Sequence, residues 1–443
     1  MFDVVIIGGG LSGLAASVKL VAKGARILLL EKAPRLGGRC YSFVDNKTDD
    51  VVDNGQHILL GAYHNLIEYL DIIGTKYLLK KTSLLSLPIY DPNRGRGVFQ
   101  VSNLPKPLNL TSAMLKFKLL SFKERKKLLK VGSELKGWNN KLESKLSSMA
   151  IEDWLNSLDQ SAEVKKLFWY PIAISIMNEK PESASALLFA RALRTAFLGK
   201  KSDSSILIPI VGQTQLYSDA AAELLDKRKS KILLNTAVDS IEITGDRIIS
   251  IKLRDGEKVT ANYYISSLPP QQLQRILPSK LKTIKPFDTL GRYISAPIIS
   301  FHLWFDKNFM DVDFIGLANC NLQWLFDRRK FIKSDKRTGF ISAVISGAHD
   351  YVNLTKEKLL SLALHDIYKV YPESRKTKLI HSIIIKEKRA TFSATNDVEK
   401  IRPSTQTPLL NFYIAGDWTN TGLPATIESA VISGFKAAEL IPV

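Results

Sequence analysis

The chain is expected to adopt an α/β fold: a discontinuous Rossmann-like nucleotide-binding domain plus a substrate domain of antiparallel sheet and helices. Three observations lead there. A glycine-rich turn joins two short apolar runs within the first 31 residues. A second strand, turn and helix with its own Gly-Asp pair lies close to the other end. Between them, helix-like and strand-like stretches separate the pieces of the nucleotide domain. With 443 residues and 45% hydrophobic content, the chain can bury two cores.

Val4-Val5-Ile6-Ile7 reads as a buried parallel strand. It runs into Gly8-Gly9-Gly10-Leu11-Ser12-Gly13, which fits G-x-G-x-x-G. A helical stripe of Leu14, Val18 and Val21 follows, then a second buried strand, Ile27 to Leu30, that ends at Glu31. This is the βαβ dinucleotide fingerprint with its acid in place. Gly8 permits the tight turn, Gly10 lets backbone approach a pyrophosphate, and Gly13 allows the helix to pack closely on the strand. The helix N-terminus offers free N–H groups and positive dipole to phosphates. Glu31 can accept hydrogen bonds from a ribose diol.

The next residues bear on which dinucleotide is bound. Glu31-Lys32 is followed by Gly37-Gly38-Arg39 and Ser42. This resembles the Glu-x5-Gly-Gly-Arg-x2-Ser extension of the flavin amine oxidase and phytoene desaturase superfamily. The resemblance implies that Gly37, Gly38 and Arg39 lie against the diphosphate and ribityl chain of FAD. A nicotinamide enzyme has no need of this second loop, so FAD is favoured over NAD.

Phe412 to Ala415 reads as a strand leading to Gly416-Asp417-Trp418 and a helix after Thr426-Ile427, with Val431, Phe435, Ala438 and Leu440 available to bury. By the same resemblance, Asp417 bonds the ribityl chain and the helix points its N-terminus at the pyrimidine end of the flavin. That dipole would stabilise the charge of a reduced flavin. This motif has no cysteine, so the FAD is expected to be non-covalent. In the middle, Ile232 to Ile241 reads as one strand, with Val238 where the superfamily contacts adenine through backbone. A hairpin turns at Gly245-Asp246. Tyr263 to Pro270 resembles the strand returning toward the flavin. The FAD domain is thus assigned to residues 1–75, 206–285 and 393–443, and the substrate domain to 76–205 and 286–392.

In the substrate stretches, helices are expected at Phe122–Lys141, Ile151–Leu158, Glu163–Ala173, Ser183–Leu198 and Lys356–Val370. Strands are expected at Ile298–Phe305, Phe314–Leu317, Leu322–Phe326, Phe340–Ile345 and Ser382–Ile385. Such a sheet roofing a flavin would enclose an apolar cavity.

Composition narrows the function. Two cysteines, Cys40 and Cys320, argue against a disulfide framework. The six histidines show no metal-ligand spacing, so no metal site is expected. No apolar run reaches transmembrane length. The first strand leaves no room for a signal peptide, which suits a cytoplasmic setting. The formal net charge is +19, yet no nucleic-acid motif accompanies it. Basic residues concentrate in residues 104–145, where Lys116, Lys118, Lys123, Arg125, Lys126 and Lys127 sit among Met114, Leu115, Phe117, Leu119, Leu120 and Phe122. The mixture suits peripheral attachment to an anionic inner membrane face, where each Lys or Arg contributes about 1 kcal/mol. A solvated basic helix face is the competing reading.

Finally, Asp53-Asn54-Gly55-Gln56-His57-Ile58-Leu59-Leu60-Gly61-Ala62-Tyr63 resembles the signature of the hydroxysqualene dehydroxylase family. Glu387 to Phe392 and Gly416 to Glu428 are similar to two further segments of that family. The resemblance implies FAD-dependent reductive removal of an allylic hydroxyl from a thirty-carbon isoprenoid alcohol, drawing electrons from an external donor. A proton donor should assist the poor leaving group, and Asp53 and His57 are the candidates. The competing role for both is to order the loop beside the flavin. A carotenoid-type desaturase, an amine or protoporphyrinogen oxidase, and a non-enzymatic prenyl-binding protein are the alternatives.

Overall fold

A computed structural model describes residues 2–82, 84–105, 108–332, 336 and 338–442. Its first layer is a five-stranded, all-parallel sheet in the order Lys231–Leu233, Ile27–Leu30, Phe2–Ile7, Ala261–Ser266, Phe412–Ile414. Val4 to Ile7 and the strand Ile27–Leu30 are continuous apolar runs because both faces are covered there. Val4 and Ile6 face the helices Leu11–Ala22 and Ile427–Glu439, while Val5 and Ile7 face the opposite core with Phe287 and Phe412. The two helices cross closely: a Cβ on Gly434 would lie 2.2 Å from the Ser12 carbonyl oxygen. Val431, Phe435 and Ala438 are buried as expected, but Leu440 lies just past the helix and is exposed.

The stretch Ile232 to Ile241 is not one strand. Lys231–Leu233 joins the parallel sheet, and Val238–Thr244 pairs with Arg247–Leu253 in a separate antiparallel sheet. The break lies at Asn235, whose φ of 53° is the left-handed conformation that Asn tolerates best after Gly. There the chain hydrogen-bonds back to Ala33 and Glu31, which holds it beside the second strand of the fingerprint.

The second layer is a seven-stranded sheet in the order Leu379–Phe392, Ser295–Phe305, Gly339–Ser346, Trp324–Asp327, Phe314–Leu317, Ser86–Asp91, Gly95–Gln100. Each strand expected from sequence is present in it, Phe314–Leu317 with the expected bounds and the others with shifted ends. The Ser86–Asp91/Gly95–Gln100 hairpin is an addition to a stretch that reads as mainly helical. Strand alternation gives the sheet two different faces. Ile299, Phe301, Leu303 and Phe305 pack on the helix Lys356–Val370. Ser300, His302 and Trp304 point the other way, toward the hairpin Ser42–Val44/Val51–Asp53: Trp304 Nε1 donates to Asp50 Oδ2 at 2.8 Å.

The remaining helices wrap the side of this sheet. The helix expected over Phe122–Lys141 is two, Phe122–Lys136 and Asn140–Leu146. Gly137 ends the first and the Asn139 side chain caps the second. Phe117, Leu119 and Leu120 are fully buried, and Phe117 packs against Phe99 and Phe168. They belong to the core, so the apolar part of the expected membrane surface shrinks to exposed Leu104, Leu108 and Phe122. Among the described residues, no helix is long and apolar enough to cross a membrane.

Candidate functional site

The nucleotide cradle sits at the carboxyl ends of the parallel strands, where doubly wound sheets bind ligands. Gly8 has φ of 105°, and a Cβ on Gly13 would lie 2.0 Å from the Gly8 carbonyl oxygen. The turn therefore closes only with glycine at these positions. Glu31 is buried. Its Oε2 accepts from Gly9 N at 2.7 Å and its Oε1 from Ala33 N at 2.8 Å, which aims the carboxylate at the glycine loop. Lys32 beside it is exposed.

The second glycine loop lies directly on the first. Gly37 N donates to Gly9 O at 2.9 Å, and a Cβ on Gly38 would approach Gly10 Cα to 3.0 Å. Gly37 has φ of 93°, and a Cβ there would strike the Cys40 carbonyl oxygen at 2.2 Å. Burial pushes the Cys40 thiol up to about 12, so it stays protonated and unreactive. Arg39 leaves this loop and donates to Asp417 Oδ1 at 2.7 Å and to Ala390 O at 2.7 Å. Its side chain keeps 39% of its surface open.

Asp417 follows Gly416, whose φ is 145° and whose N–H donates to Ser433 Oγ. Thr426 caps the helix Ile427–Glu439 by accepting from Ser429 N. Glu428 in its first turn accepts from Asn65 N, Asn65 Nδ2 and Leu66 N, closing the orphan end of the helix His64–Ile72. Sequence reasoning missed Arg402. Its buried guanidinium donates to the carbonyls of Asp417, Trp418, Thr419 and Leu423, and so holds the whole loop between strand and helix. An Arg-Pro pair before a strand carries no pattern that announces this.

Thus the structure brings Gly8, Gly10, Gly13, Glu31, Gly37, Gly38, Arg39, Gly416, Asp417, Thr426 and Ile427 to one cleft edge. Val238 begins a strand a few residues past the chain pinned to Glu31 and Ala33. The bare-backbone glycine cradle and the buried Glu31 suit a dinucleotide, with room that a side chain at Gly8, Gly13 or Gly37 would take.

Asp53 and His57 lie in the adjoining segment. Asn54 Nδ2 donates to Arg39 O, tying that segment to the cradle. Asp53 is buried and fully engaged: Oδ1 accepts from Ser42 Oγ at 2.7 Å and Gln213 N at 3.0 Å, and Oδ2 is 2.9 Å from Arg328 Nη2. Gln56 Oε1 accepts from Arg328 Nη1, and Gln213 Nε2 donates to Gly55 O. Ser300 on the sheet sits against Gly55, where a Cβ would meet its Oγ at 3.3 Å. His57 is half-buried with protein all round, and burial lowers its pKa against the opposing pull of Asp53. It is neutral at neutral pH. Arg328, Gln213 and His302 are further polar groups of this region; each stands far from the others in sequence and in no recognisable pattern.

Comparison with known proteins agrees with this arrangement. The family model described as flavin containing amine oxidoreductase matches residues 11–442. Hydroxysqualene dehydroxylase of Zymomonas mobilis is 28% identical over 98% of this chain and 98% of its own length. 15-cis-Phytoene desaturase of Synechococcus elongatus is 25% identical over 99% of this chain and 95% of its own. Among solved structures, an oxidoreductase from Methanosarcina mazei superposes with a TM-score of 0.77 at 16% identity, covering 99% of this chain and 100% of that one. Cyclohexylamine oxidase from Brevibacterium oxydans superposes with a TM-score of 0.71 at 17% identity, covering 99% and 98%. With a doubly wound sheet, a two-loop glycine cradle and a family match over nearly its whole length, the chain belongs to the flavin-containing amine oxidoreductase family and is an FAD-dependent oxidoreductase.

Proposed function

We propose that the chain is a reductive dehydroxylase that converts the thirty-carbon allylic alcohol hydroxysqualene to squalene and water. The observation that carries this reading is the position of the Asp53–His57 segment, bonded to the Arg39 backbone on one side and set against the polar face of the seven-stranded sheet on the other. Similarity to the Zymomonas dehydroxylase supports it.

When bound and reduced, FAD supplies the hydride. The chain's own residues do the rest. Gly8, Gly10, Gly13, Gly37 and Gly38 hold the diphosphate on bare backbone, and Glu31 holds the ribose. Val238 backs the adenine. Arg39 and Asp417 hold the ribityl chain, and the helix after Thr426 and Ile427 faces the pyrimidine edge. Lys32 lies at the outer rim. Asp53 braces the segment through Ser42, Gln213 and Arg328. In its protonated form His57 delivers the proton that lets the hydroxyl leave as water. The division into an FAD domain (1–75, 206–285, 393–443) and a substrate domain (76–205, 286–392) follows the same assignment. An external donor must restore the reduced flavin, and the basic 104–145 region attaches the protein peripherally to an anionic membrane from which the substrate comes.

The phytoene desaturase relatives support a second reading, in which hydride moves from an isoprenoid hydrocarbon to the oxidised cofactor. Direction separates the two. Mixed anaerobically with hydroxysqualene, dithionite-reduced enzyme should regain the oxidised flavin spectrum and form squalene. Deuterium carried by the reduced cofactor should appear at the carbon that bore the hydroxyl. If oxidised enzyme is bleached by a phytoene-like hydrocarbon while reduced enzyme ignores the alcohol, the desaturase reading replaces this one.

A further inference from the structure

We propose that Arg328 and Gln213 form the hydroxyl-recognition site of this enzyme, Arg328 donating a hydrogen bond to the substrate oxygen and Gln213 Oε1 accepting one from the hydroxyl. The inference rests on the dehydroxylase reading above for the identity of the alcohol.

Arg328 begins the short helix Arg328–Phe331 that follows the strand Trp324–Asp327. Its side chain is 2% exposed. A guanidinium carries five N–H donors. Here Nη1 donates to Gln56 Oε1 and Nη2 is paired with Asp53 Oδ2 at 2.9 Å, but Nε has no hydrogen-bond partner among the described residues. Gln213, 2% exposed, flanks the same carboxylate: its N–H donates to Asp53 Oδ1. Its Nε2 is committed to Gly55 O, which fixes the amide orientation, and its Oε1 is buried without a partner among the described residues. Folded proteins rarely leave buried polar groups unpaired, and those that remain call for an explanation.

The charges narrow the ligand. Asp53 neutralises Arg328, and among the described residues no further carboxylate bonds to Arg328. His302 lies on the same sheet face, its Nδ1 3.0 Å from Ser342 Oγ, and burial together with Arg328 holds its pKa at about 3, so it adds no charge. The cluster is therefore neutral as a whole, with Arg328 Nε as a spare donor, Gln213 Oε1 as a spare acceptor, and His302 Nε2 also unpaired among the described residues. An anion would want a net positive site, and a hydrocarbon would leave every one of these groups unpaired. A hydroxyl, which both accepts and donates, matches them. A site built to bond a hydroxyl rejects the analogue that lacks it, because its buried groups are then stranded.

The test is binding to the oxidised holoenzyme, which cannot turn the alcohol over, read from perturbation of the flavin absorbance with hydroxysqualene and squalene in the same detergent. Wild type should bind the alcohol roughly 10- to 100-fold more tightly than the hydrocarbon, the usual worth of a hydrogen bond to a charged donor. Arg328→Lys keeps a cation beside Asp53 and should fold with full FAD content, yet lose most of that preference, since a point charge cannot replace the planar fork. Gln213→Ala should lose part of it. Squalene affinity should stay within about twofold of wild type in both. Equal affinity of wild type for the two ligands overturns the proposal, as does an unchanged preference in Arg328→Lys or parallel weakening of both ligands. Failure of reduced wild type to form squalene would instead overturn the dehydroxylase reading, while a preference abolished by Arg328→Lys would still establish the hydroxyl site.

Discussion

Arg39 Nη2 donates to Asp417 Oδ1 over 2.7 Å, joining residues 378 apart in the chain. One comes from the second glycine loop and the other from the loop before the last helix. The pair holds the two loops at a set distance, and Arg402 fixes the Asp417 side through its backbone.

This geometry makes cofactor affinity the first prediction. Glu31→Ala and Asp417→Ala should each weaken FAD binding by about 1.5–3 kcal/mol, the range for a hydrogen bond involving a charged group. Reconstitution of apoprotein with FAD measures it, and acid precipitation of the holoprotein should release all the flavin. Wild-type affinity in Glu31→Ala would remove the ribose assignment.

His57 should impose a pH dependence. Its pKa lies below the ordinary 6.5 because burial opposes the charged form. Above that value the protonated fraction falls tenfold per pH unit. Reoxidation of reduced enzyme by hydroxysqualene should therefore slow as pH rises from 6 toward 8. His57→Gln should flatten the profile and slow the reaction by roughly 10²–10⁴-fold, the range for general acid catalysis. A wild-type rate that does not change over this interval would show that the proton comes from another group.

Asp50 should govern acid stability. Burial alone would raise its carboxyl, but hydrogen bonds from Arg329, Trp304 and Lys336 outweigh that and hold it at about 2. A carboxyl depressed in the folded state stabilises the fold above its unfolded pKa and loses that contribution as pH falls through the folded value. Asp50→Asn should cost about 2 kcal/mol at pH 7. The gap in melting temperature between wild type and variant should narrow as pH falls from about 4 toward 2. A gap that is constant with pH would mean the ion pairs contribute nothing.

The membrane surface can be tested at the residues the fold leaves outside. Phe122 is 60% exposed with Lys126 over its ring, and Lys123 is exposed beside it. Phe122→Ser combined with Lys123→Glu and Lys126→Glu should abolish co-sedimentation with anionic liposomes without lowering the melting temperature. Salt should weaken wild-type binding through screening. Unchanged binding of the triple variant would move the contact elsewhere.

By itself the sequence determined the α/β class, the parallel strands at both ends, and the glycine turns that lie against them. These are local or repeated patterns. A tight turn needs glycine at Gly8 and Gly13 whatever surrounds it, and a strand covered on both faces must be apolar throughout. The helix Lys356–Val370 was legible to the residue because a Thr cap and a following proline bound it. Tertiary structure alone decided the rest. Phe117, Leu119 and Leu120 look no different in sequence from Phe122, yet three are core and one is surface, because burial depends on which elements cover a segment. Arg328, Gln213 and Asp53 meet only through folding. A buried ion pair or a stranded amide oxygen leaves no periodicity to read, since its partners are set by the packing of distant strands rather than by spacing along the chain.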